Sequence, residues 1–536
     1  MRTHAHRPRV LVHGCHGHNI RFTGVRILKA DSMGTTQQIN DALRTDHLQA
    51  DLKGRSVRGG MLTVTSQGAQ FVLQSVSTVA LARLLTPADF GLVAMVTAIT
   101  GLGQAFADLG LSEATIQRPE IDHDQVSKLF WVNVSIGLLL TLITAALSPV
   151  LAWFYHEPRL INITLLVSLT FLIGGLRVQH DALLRRQMRF AALAARDVIA
   201  YVVAVPVAIV LAMRGAGYWS IIALPLALNT VQMSLSWVLV RWIPGLPRRS
   251  TKVGSLIAFG GNVAASYFLI STTRSADSIM IGRYWGAGPL GLYSRAMNLL
   301  LLPVRQLGTP ARAVAVPAFS RVQADPERLA RFYLRTANLI MWITAPIFGF
   351  LFVAATPVIV LALGAKWREA APVFQLLAIF ALGQLLYEST IWLLVSRGQT
   401  KQLLKLSLFT CPITVASYAI GLPFGIKGVA LSSALVLFVI FPWVLNFAFR
   451  GTQLTLRRLG KSTLFPVLFC LAGVAVSEMT LLRFEPPSMI GQILVIAVAF
   501  ALGSSLTLFI RPLREELRSL GQLLRKSRSA PSIVEA

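Results

Sequence analysis

Apolar stretches of about 20 residues, separated by short polar turns, recur along the chain from residue 61 onward. A helix of roughly that length crosses about 30 Å of hydrocarbon, and a backbone in lipid must satisfy its own hydrogen bonds. The pattern therefore predicts an all-α polytopic membrane protein with about fourteen transmembrane helices. The predicted spans, numbered in chain order, are 61–83, 90–112, 130–154, 160–180, 192–213, 218–241, 254–279, 289–311, 336–363, 371–395, 402–423, 427–449, 462–482 and 488–510.

Composition supports this prediction, because 54% of the residues are hydrophobic and only 14% are charged. Soluble domains carry about 25% charged residues. The formal net charge of +27 would suggest nucleic-acid binding in a soluble chain. Here most cations fall in alternate loops between spans or in the two termini, and cytoplasmic segments are the ones enriched in Lys and Arg. We therefore expect a multi-pass protein of the bacterial inner membrane with both termini in the cytoplasm and no nucleic-acid partner.

Candidate cofactor chemistry is sparse in the sequence. The three cysteines, Cys15, Cys411 and Cys470, are scattered and give no thiolate metal pattern. A P-loop motif is absent from the sequence. We expect neither a cofactor nor direct ATP hydrolysis.

The sequence contains an internal repeat. A shift of 200 residues places Ala82-Arg83 and Gly91-Leu92 on Gly282-Arg283 and Gly291-Leu292 and lays the first two spans on the seventh and eighth. Because six is even, two six-helix lobes built this way have the same orientation in the membrane. The predicted divisions are a flexible cytoplasmic leader 1–60, a first lobe 61–245, a second lobe 246–455, two additional helices 456–512 and a cytoplasmic tail 513–536.

Three segments carry a family resemblance: ARLLTPADFGLVAMVTAITGLGQAFADLG at 82–110, DSIMIGRYWGAGPLGLYSRA at 277–296 and VPAFSRVQADPERL at 316–329. They resemble the bacterial oligosaccharide flippases of the polysaccharide transporter family (Wzx and WzxC types), in the multidrug/oligosaccharidyl-lipid/polysaccharide exporter superfamily. The resemblance implies two six-helix lobes around a central cavity. It also implies translocation of polyprenyl-diphosphate-linked sugars for exopolysaccharide or lipopolysaccharide biosynthesis. Expected partners are the lipid-linked oligosaccharide, membrane lipid, and polysaccharide polymerase and chain-length proteins.

Polar side chains within the eighth span fall on one helix face. At about 100° per residue, Asn298, Arg305 and Gln306 lie within about 80° of Arg295. A charge at mid-bilayer is disfavoured by about 2.5 to 3.5 kcal/mol even on lenient scales, so it should face protein or a wet cavity. Arginine offers a planar fork that fits a diphosphate, and amides suit sugar hydroxyls. We predict that this face binds the substrate head group.

The second span, the repeat partner of the eighth, also carries polar residues within an arc of about 80°. Of these, Gln104 and Asp108 are predicted to join the substrate site.

Arg274 and Asp277 lie three residues apart in the seventh span, so they can pair on adjacent helical turns. Two interpretations stay open for them: members of the substrate site, or a structural pair. The same choice applies to Arg196 and Asp197 at the start of the fifth span.

Other functions compete with flipping by alternating access. A cation-coupled drug or small-molecule antiporter of the same superfamily would want an acidic cavity, whereas the predicted face is basic. A membrane sugar polymerase or glycosyltransferase would need acid–base groups on sizeable loops, and the loops here are short. A flippase for peptidoglycan precursors remains an alternative.

Overall fold

The structure, a computed structural model, describes residues 52–106, 111–117, 121–246, 271–484 and 486–507. Within these ranges the chain consists of helices and short turns, without a strand. The predicted site residue Asp108, the leader up to residue 51 and the tail from residue 508 lie outside the described residues.

The first six predicted spans are all helical. The first packs against the fifth, the third against the fourth, and the sixth against both the fourth and the fifth. Their helices are Leu52–Leu84 (first), Pro87–Gly103 with Gln104–Phe106 and Leu111–Gln117 (second), His123–Ala146 with Ser148–Tyr155 (third), Leu160–Arg186 (fourth), Phe190–Met213 (fifth) and Tyr218–Val240 (sixth).

The remaining eight spans are helical as well, which confirms the predicted architecture of about fourteen. The last two pack on each other and on the ninth span. Their helices are 271–285 (described part of the seventh), Ala287–Val322 (eighth), Pro326–Val353 with Ala355–Leu363 (ninth), Ala371–Ser396 (tenth), Thr400–Gly421 (eleventh), Gly425–Ala448 (twelfth), Leu456–Arg483 (thirteenth) and Met489–Leu506 (fourteenth).

The first helix extends further towards the N-terminus than predicted. It includes residues 52–60, which the sequence pattern assigned to a flexible leader. These nine residues include Lys53, Arg55 and Arg58. A hydropathy average therefore does not include them in the apolar span.

Two spans that read as continuous apolar runs are broken helices. The third is interrupted at Leu147 and the ninth at Ala354. Pro149 and Pro357 follow these breaks, in the first turn of the next helix, where a missing backbone N–H leaves no hydrogen bond unmade. By length and hydropathy alone, nine helical stretches of the described residues are long and apolar enough to cross a membrane. One of these, Lys401–Ala448, comprises the eleventh and twelfth spans.

The turns divide between two ends of the helical bundle. We call one end the sealed end; its described turns include 85–86, 156–159, 214–217, 286, 364–370 and 422–424. We call the other the basic end, because most loop cations lie there; its described turns include 187–189, 241–246, 323–325, 397–399 and 449–455.

Core packing joins the two lobes at the sealed end. The largest cluster of buried side chains contains Leu81 and Phe90 of the first lobe together with Leu290 and Trp367 of the second. Towards the basic end, the next two clusters are separate, one formed by the first lobe and the other by the second lobe with the last two spans. Among the described residues, the lobes therefore share a core only near the sealed end.

Candidate functional site

The second and eighth spans cross at the sealed end with their backbones in contact. A Cβ atom on Gly91 would overlap the carbonyl group of Ala287, and one on Gly291 would overlap the carbonyl group of Pro87. These two contacts are equivalent under the 200-residue shift, so the crossing is symmetric about the axis that relates the lobes. Small residues four positions apart permit such close approach of helices in membranes.

The face of the eighth span that makes this crossing continues towards the basic end as the predicted polar face. At about 100° per residue, Ala287 and Gly291 lie about 80° and 40° from Arg295, on the same side as Asn298 and Arg305. The other side is buried, packs in part on the tenth span, and carries Tyr293, Ala296, Leu300, Val304 and Gly308. The polar face is therefore turned towards the gap between the lobes.

Arg295 lies about one helical turn from the crossing, on the side of the basic end. Its guanidinium carbon stands 4.2 Å from the ring centroid of Phe90, a residue of the other lobe. The Arg295 Nε atom is buried without a hydrogen-bond partner, and no carboxylate of the described residues pairs with the side chain. Arg295 is partly buried, and a cation that contacts an aromatic face but no carboxylate of the described residues is poorly compensated. Arg295 can therefore gain strongly from an anionic ligand.

Between Arg295 and the basic end, the polar face is exposed. Asn298, Arg305 and Gln306 are all exposed. From Arg295 to Arg305 the helix rises about 15 Å, at 1.5 Å per residue. This part of the eighth span offers a column of two cations and two amides for a ligand.

The described part of the second span, up to Phe106, carries no matching polar residues on the side that makes the crossing. Gln104 is exposed, but it lies about 140° around the helix from Gly91 and therefore away from the crossing face. The residues equivalent to Arg295 and Asn298 are Met95 and Ala98, both apolar and buried. The repeat preserves the course of the helix but not its side-chain chemistry, and the membership of Gln104 in the substrate site stays a prediction.

Hydrogen bonds between the lobes close the sealed end above the crossing. Trp367 Nε1 donates to the Ala82 carbonyl at 2.8 Å, and Lys366 Nζ donates to the Arg83 carbonyl at 2.8 Å. Arg83 Nη2 in turn donates to the Leu361 carbonyl at 2.6 Å. Trp367 is fully buried. These contacts block access to the polar face from this end.

Arg274 and Asp277 occupy different environments in the seventh span. Asp277 is buried, and its carboxylate accepts hydrogen bonds from the Tyr293 hydroxyl at 2.8 Å and from the Ser278 backbone N–H at 2.5 Å. Arg274 is exposed. The pair that their spacing allows is not formed within the described chain, because Asp277 is engaged by the eighth span instead.

A second charged cluster joins the fourth, fifth and sixth spans inside the first lobe. Arg196 pairs with Asp197 at 2.7 Å and with Asp181, while Arg177 Nε lies 3.4 Å from Asp181. Ser236 donates to Asp181 at 2.7 Å. Two arginines and two aspartates balance, so Arg196 and Asp197 form an ion pair inside the first lobe, which favours the structural interpretation.

Sequence comparison identifies the family. The profile of a family described as "Polysaccharide biosynthesis protein" matches residues 80–372, more than half of the chain. The chain belongs to this family. The teichuronic acid biosynthesis protein TuaB of Bacillus subtilis (strain 168) is 26% identical over 470 residues, 85% of this chain and 95% of TuaB. The lipopolysaccharide biosynthesis protein WzxC of Escherichia coli (strain K12) is 24% identical over 381 residues, 69% of this chain and 76% of WzxC.

Among solved structures, the lipid II flippase MurJ in an inward closed conformation has the same fold. Its TM-score is 0.69 at 14% identity, over 84% of this chain and 99% of MurJ. The match confirms for this polysaccharide biosynthesis protein the predicted architecture of a multi-pass helical membrane protein.

Sequence reasoning did not assign a role to the residues that seal the crossing in this polysaccharide biosynthesis protein. Phe90 and Trp367 stand among apolar residues and look like ordinary core aromatics. The informative signal is the glycine that recurs at equivalent places in both repeats, Gly91 and Gly291, because small residues permit close approach of helices.

Proposed function

We propose that this protein moves a polyprenyl-diphosphate-linked oligosaccharide from the cytoplasmic to the outer leaflet of the bacterial inner membrane, for exopolysaccharide or lipopolysaccharide biosynthesis. The observation that carries the proposal is the column of Arg295, Asn298, Arg305 and Gln306, turned towards the gap between two lobes that share a core at one end. TuaB and WzxC are named for the biosynthesis of surface polysaccharides and MurJ for flipping a lipid, which supports the same class of substrate here.

The orientation that we propose follows from the cations. The basic end lies in the cytoplasm and the sealed end on the outer side, because cytoplasmic loops are enriched in Lys and Arg. Both termini are then cytoplasmic. In this orientation the polar face is open to the side on which the lipid-linked sugar is made.

Each side chain of the column has a chemical task in this proposal. Arg295 and Arg305 hold the diphosphate through charge-assisted, forked hydrogen bonds. Asn298 and Gln306 bond sugar hydroxyls, while the polyprenyl tail stays in the bilayer.

The other predicted site residues have different tasks. We assign Arg274 and Gln104, both exposed, to contacts with the head group as it enters. Asp277 holds the seventh span to Tyr293 of the eighth. Asp108, outside the described residues, stays a prediction.

Transport proceeds by alternating access. The lobes rock about the pseudo-twofold axis that relates them, so that the helices separate at the Gly91–Gly291 crossing and the sealed end opens as the basic end closes. Exporting a dianion from a negative interior gains about 2.3 kcal/mol per charge for each 100 mV, or about 4.6 kcal/mol in all. A polysaccharide polymerase and chain-length proteins then take up the exported unit on the outer side.

The double variant Arg295→Ala with Arg305→Ala tests the proposed site. It should insert normally but fail to export, so that cells accumulate lipid-linked sugar facing the cytoplasm. The matched control replaces Arg321 and Arg328, two exposed arginines near the basic end, and should export normally. Normal export by the Arg295/Arg305 variant would reject the assignment.

A further inference from the structure

We propose that Phe90 and Arg295 form a latch between the lobes, and that the substrate diphosphate releases it, so that head-group binding itself unseals the outer end. This inference rests on the proposed function, because the releasing anion is the diphosphate of the substrate. It assigns Phe90, which does not bind the head group, as a positioning residue in the transport cycle.

The latch consists of side chains that alternate between the lobes. Phe90 of the first lobe lies under the guanidinium of Arg295, 4.2 Å from ring centroid to guanidinium carbon. The same ring meets Trp367 of the second lobe edge-on, with the centroids 5.4 Å apart. Trp367 then donates to the Ala82 carbonyl of the first lobe. Loosening Phe90 therefore loosens the neighbouring contact that closes the sealed end.

Arg295 cannot contact Phe90 and share one diphosphate with Arg305 at the same time. Phe90 precedes Gly91 at the crossing, so the Arg295 side chain reaches from its own turn towards the sealed end. That direction is the natural one, because side chains on a helix lean towards its N-terminus. Arg305 lies about 15 Å away in the opposite direction. To hold one diphosphate together with Arg305, Arg295 must swing away from Phe90.

A ligand shifts a conformational equilibrium only by its different affinity for the two states. In the sealed state, binding of the diphosphate costs the contact between Arg295 and Phe90. In the unsealed state, that contact is already absent. The diphosphate therefore raises the ratio of unsealed to sealed molecules. The factor is set by the free energy of a partly desolvated cation–π contact and is about 2- to 30-fold. Without substrate, the latch keeps the outer end closed.

Spin labels on both sides of the sealed end measure this ratio. Met213 and Phe424 suit the labels because they belong to different lobes, lie beside sealed-end turns and are 71% and 77% exposed. The full-length protein, with its three native cysteines replaced by serine and these two positions by cysteine, is reconstituted in lipid nanodiscs. Distance distributions are recorded with and without farnesyl diphosphate, and farnesol serves as the uncharged control.

The variants separate the aromatic ring from the volume it fills. Phe90→Leu keeps apolar volume without the ring, so the unsealed fraction should rise 2- to 30-fold without ligand and then respond less than 2-fold to farnesyl diphosphate. Phe90→Trp keeps an aromatic face and should respond as the wild type does. Phe154→Leu is the matched control: it removes another contact between the lobes, with the exposed Arg283, and should retain the full response.

Equilibrium dialysis of farnesyl diphosphate distinguishes failure of the latch from failure of the site. Binding without a change in distance, or an equal response of wild type and Phe90→Leu, would overturn the latch and leave the proposed function standing. No binding to the wild type would overturn the head-group site and the latch together.

Discussion

Replacing Gly291 by alanine should force the sealed end open. The new Cβ atom would overlap the carbonyl oxygen of Pro87, and it would stand 2.7 Å from the Pro87 carbonyl carbon and 3.1 Å from the backbone N of Gly91. These are backbone atoms of a packed helix, which cannot rotate away, so the two helices must separate. Overpacking of this kind costs about 1 to 3 kcal/mol. The cost falls only on the sealed state, which lowers the ratio of sealed to unsealed molecules about 5- to 150-fold.

The spin-label pair at Met213 and Phe424 reads out this shift as a longer distance between the lobes. Gly288→Ala is the matched control on the same helix, because a Cβ atom there would meet no atom within 4 Å. Alanine favours the helix over glycine by about 1 kcal/mol at either position, and this term is equal in the two states and cancels from the ratio. The reasoning would be refuted if the ratio of sealed to unsealed molecules in Gly291→Ala stayed within about 2-fold of the wild type, or if Gly291→Ala and Gly288→Ala shifted this ratio equally.

Three further results are expected. Trp367→Phe keeps an aromatic ring but removes the hydrogen bond to the Ala82 carbonyl, worth about 0.5 to 1.5 kcal/mol, so the same labels should report more unsealed protein; an unchanged distribution would contradict the role of this bond. Arg196→Ala leaves Asp197 without its cation and Asp181 with Arg177 alone, and it should lower the thermal unfolding temperature by the loss of charge-assisted hydrogen bonds worth about 1.5 to 3 kcal/mol each; an unchanged temperature would show that the cluster is not structural. In proteoliposomes, an inside-negative potential should accelerate head-group export by the wild type, and no response would reject export of an uncompensated dianion.

Hydropathy predicted the helices well where the chain is uniformly apolar. It placed the tenth span at 371–395, and the helix is Ala371–Ser396. It was less accurate where charge or proline changes the backbone, as at residues 52–60 and at Leu147, because a hydropathy average reports solvent preference and not backbone geometry. Helical periodicity placed the eighth-span residues on one face, since 100° per residue holds for any regular helix.

Periodicity could not say what that face meets, which way Gln104 is turned relative to the crossing, or whether Asp277 pairs with Arg274. Gln104 shares an arc with other polar residues of its helix, but that arc is rotated away from the crossing. Asp277 has a cation at helical spacing, yet its nearer partner is a tyrosine that is distant in the sequence. In both cases the deciding contact comes from another helix.

The sequence by itself determined that the chain spans a membrane many times, that its two lobes are parallel repeats, and which side carries its cations. These properties follow from local composition and from the internal sequence repeat. Only the tertiary structure decided that Gly91 and Gly291 bring the lobes together, that Phe90 faces Arg295, and that the polar column lies open below them. Such contacts depend on how two helices cross in space, and residues 200 positions apart meet only after the whole bundle has packed.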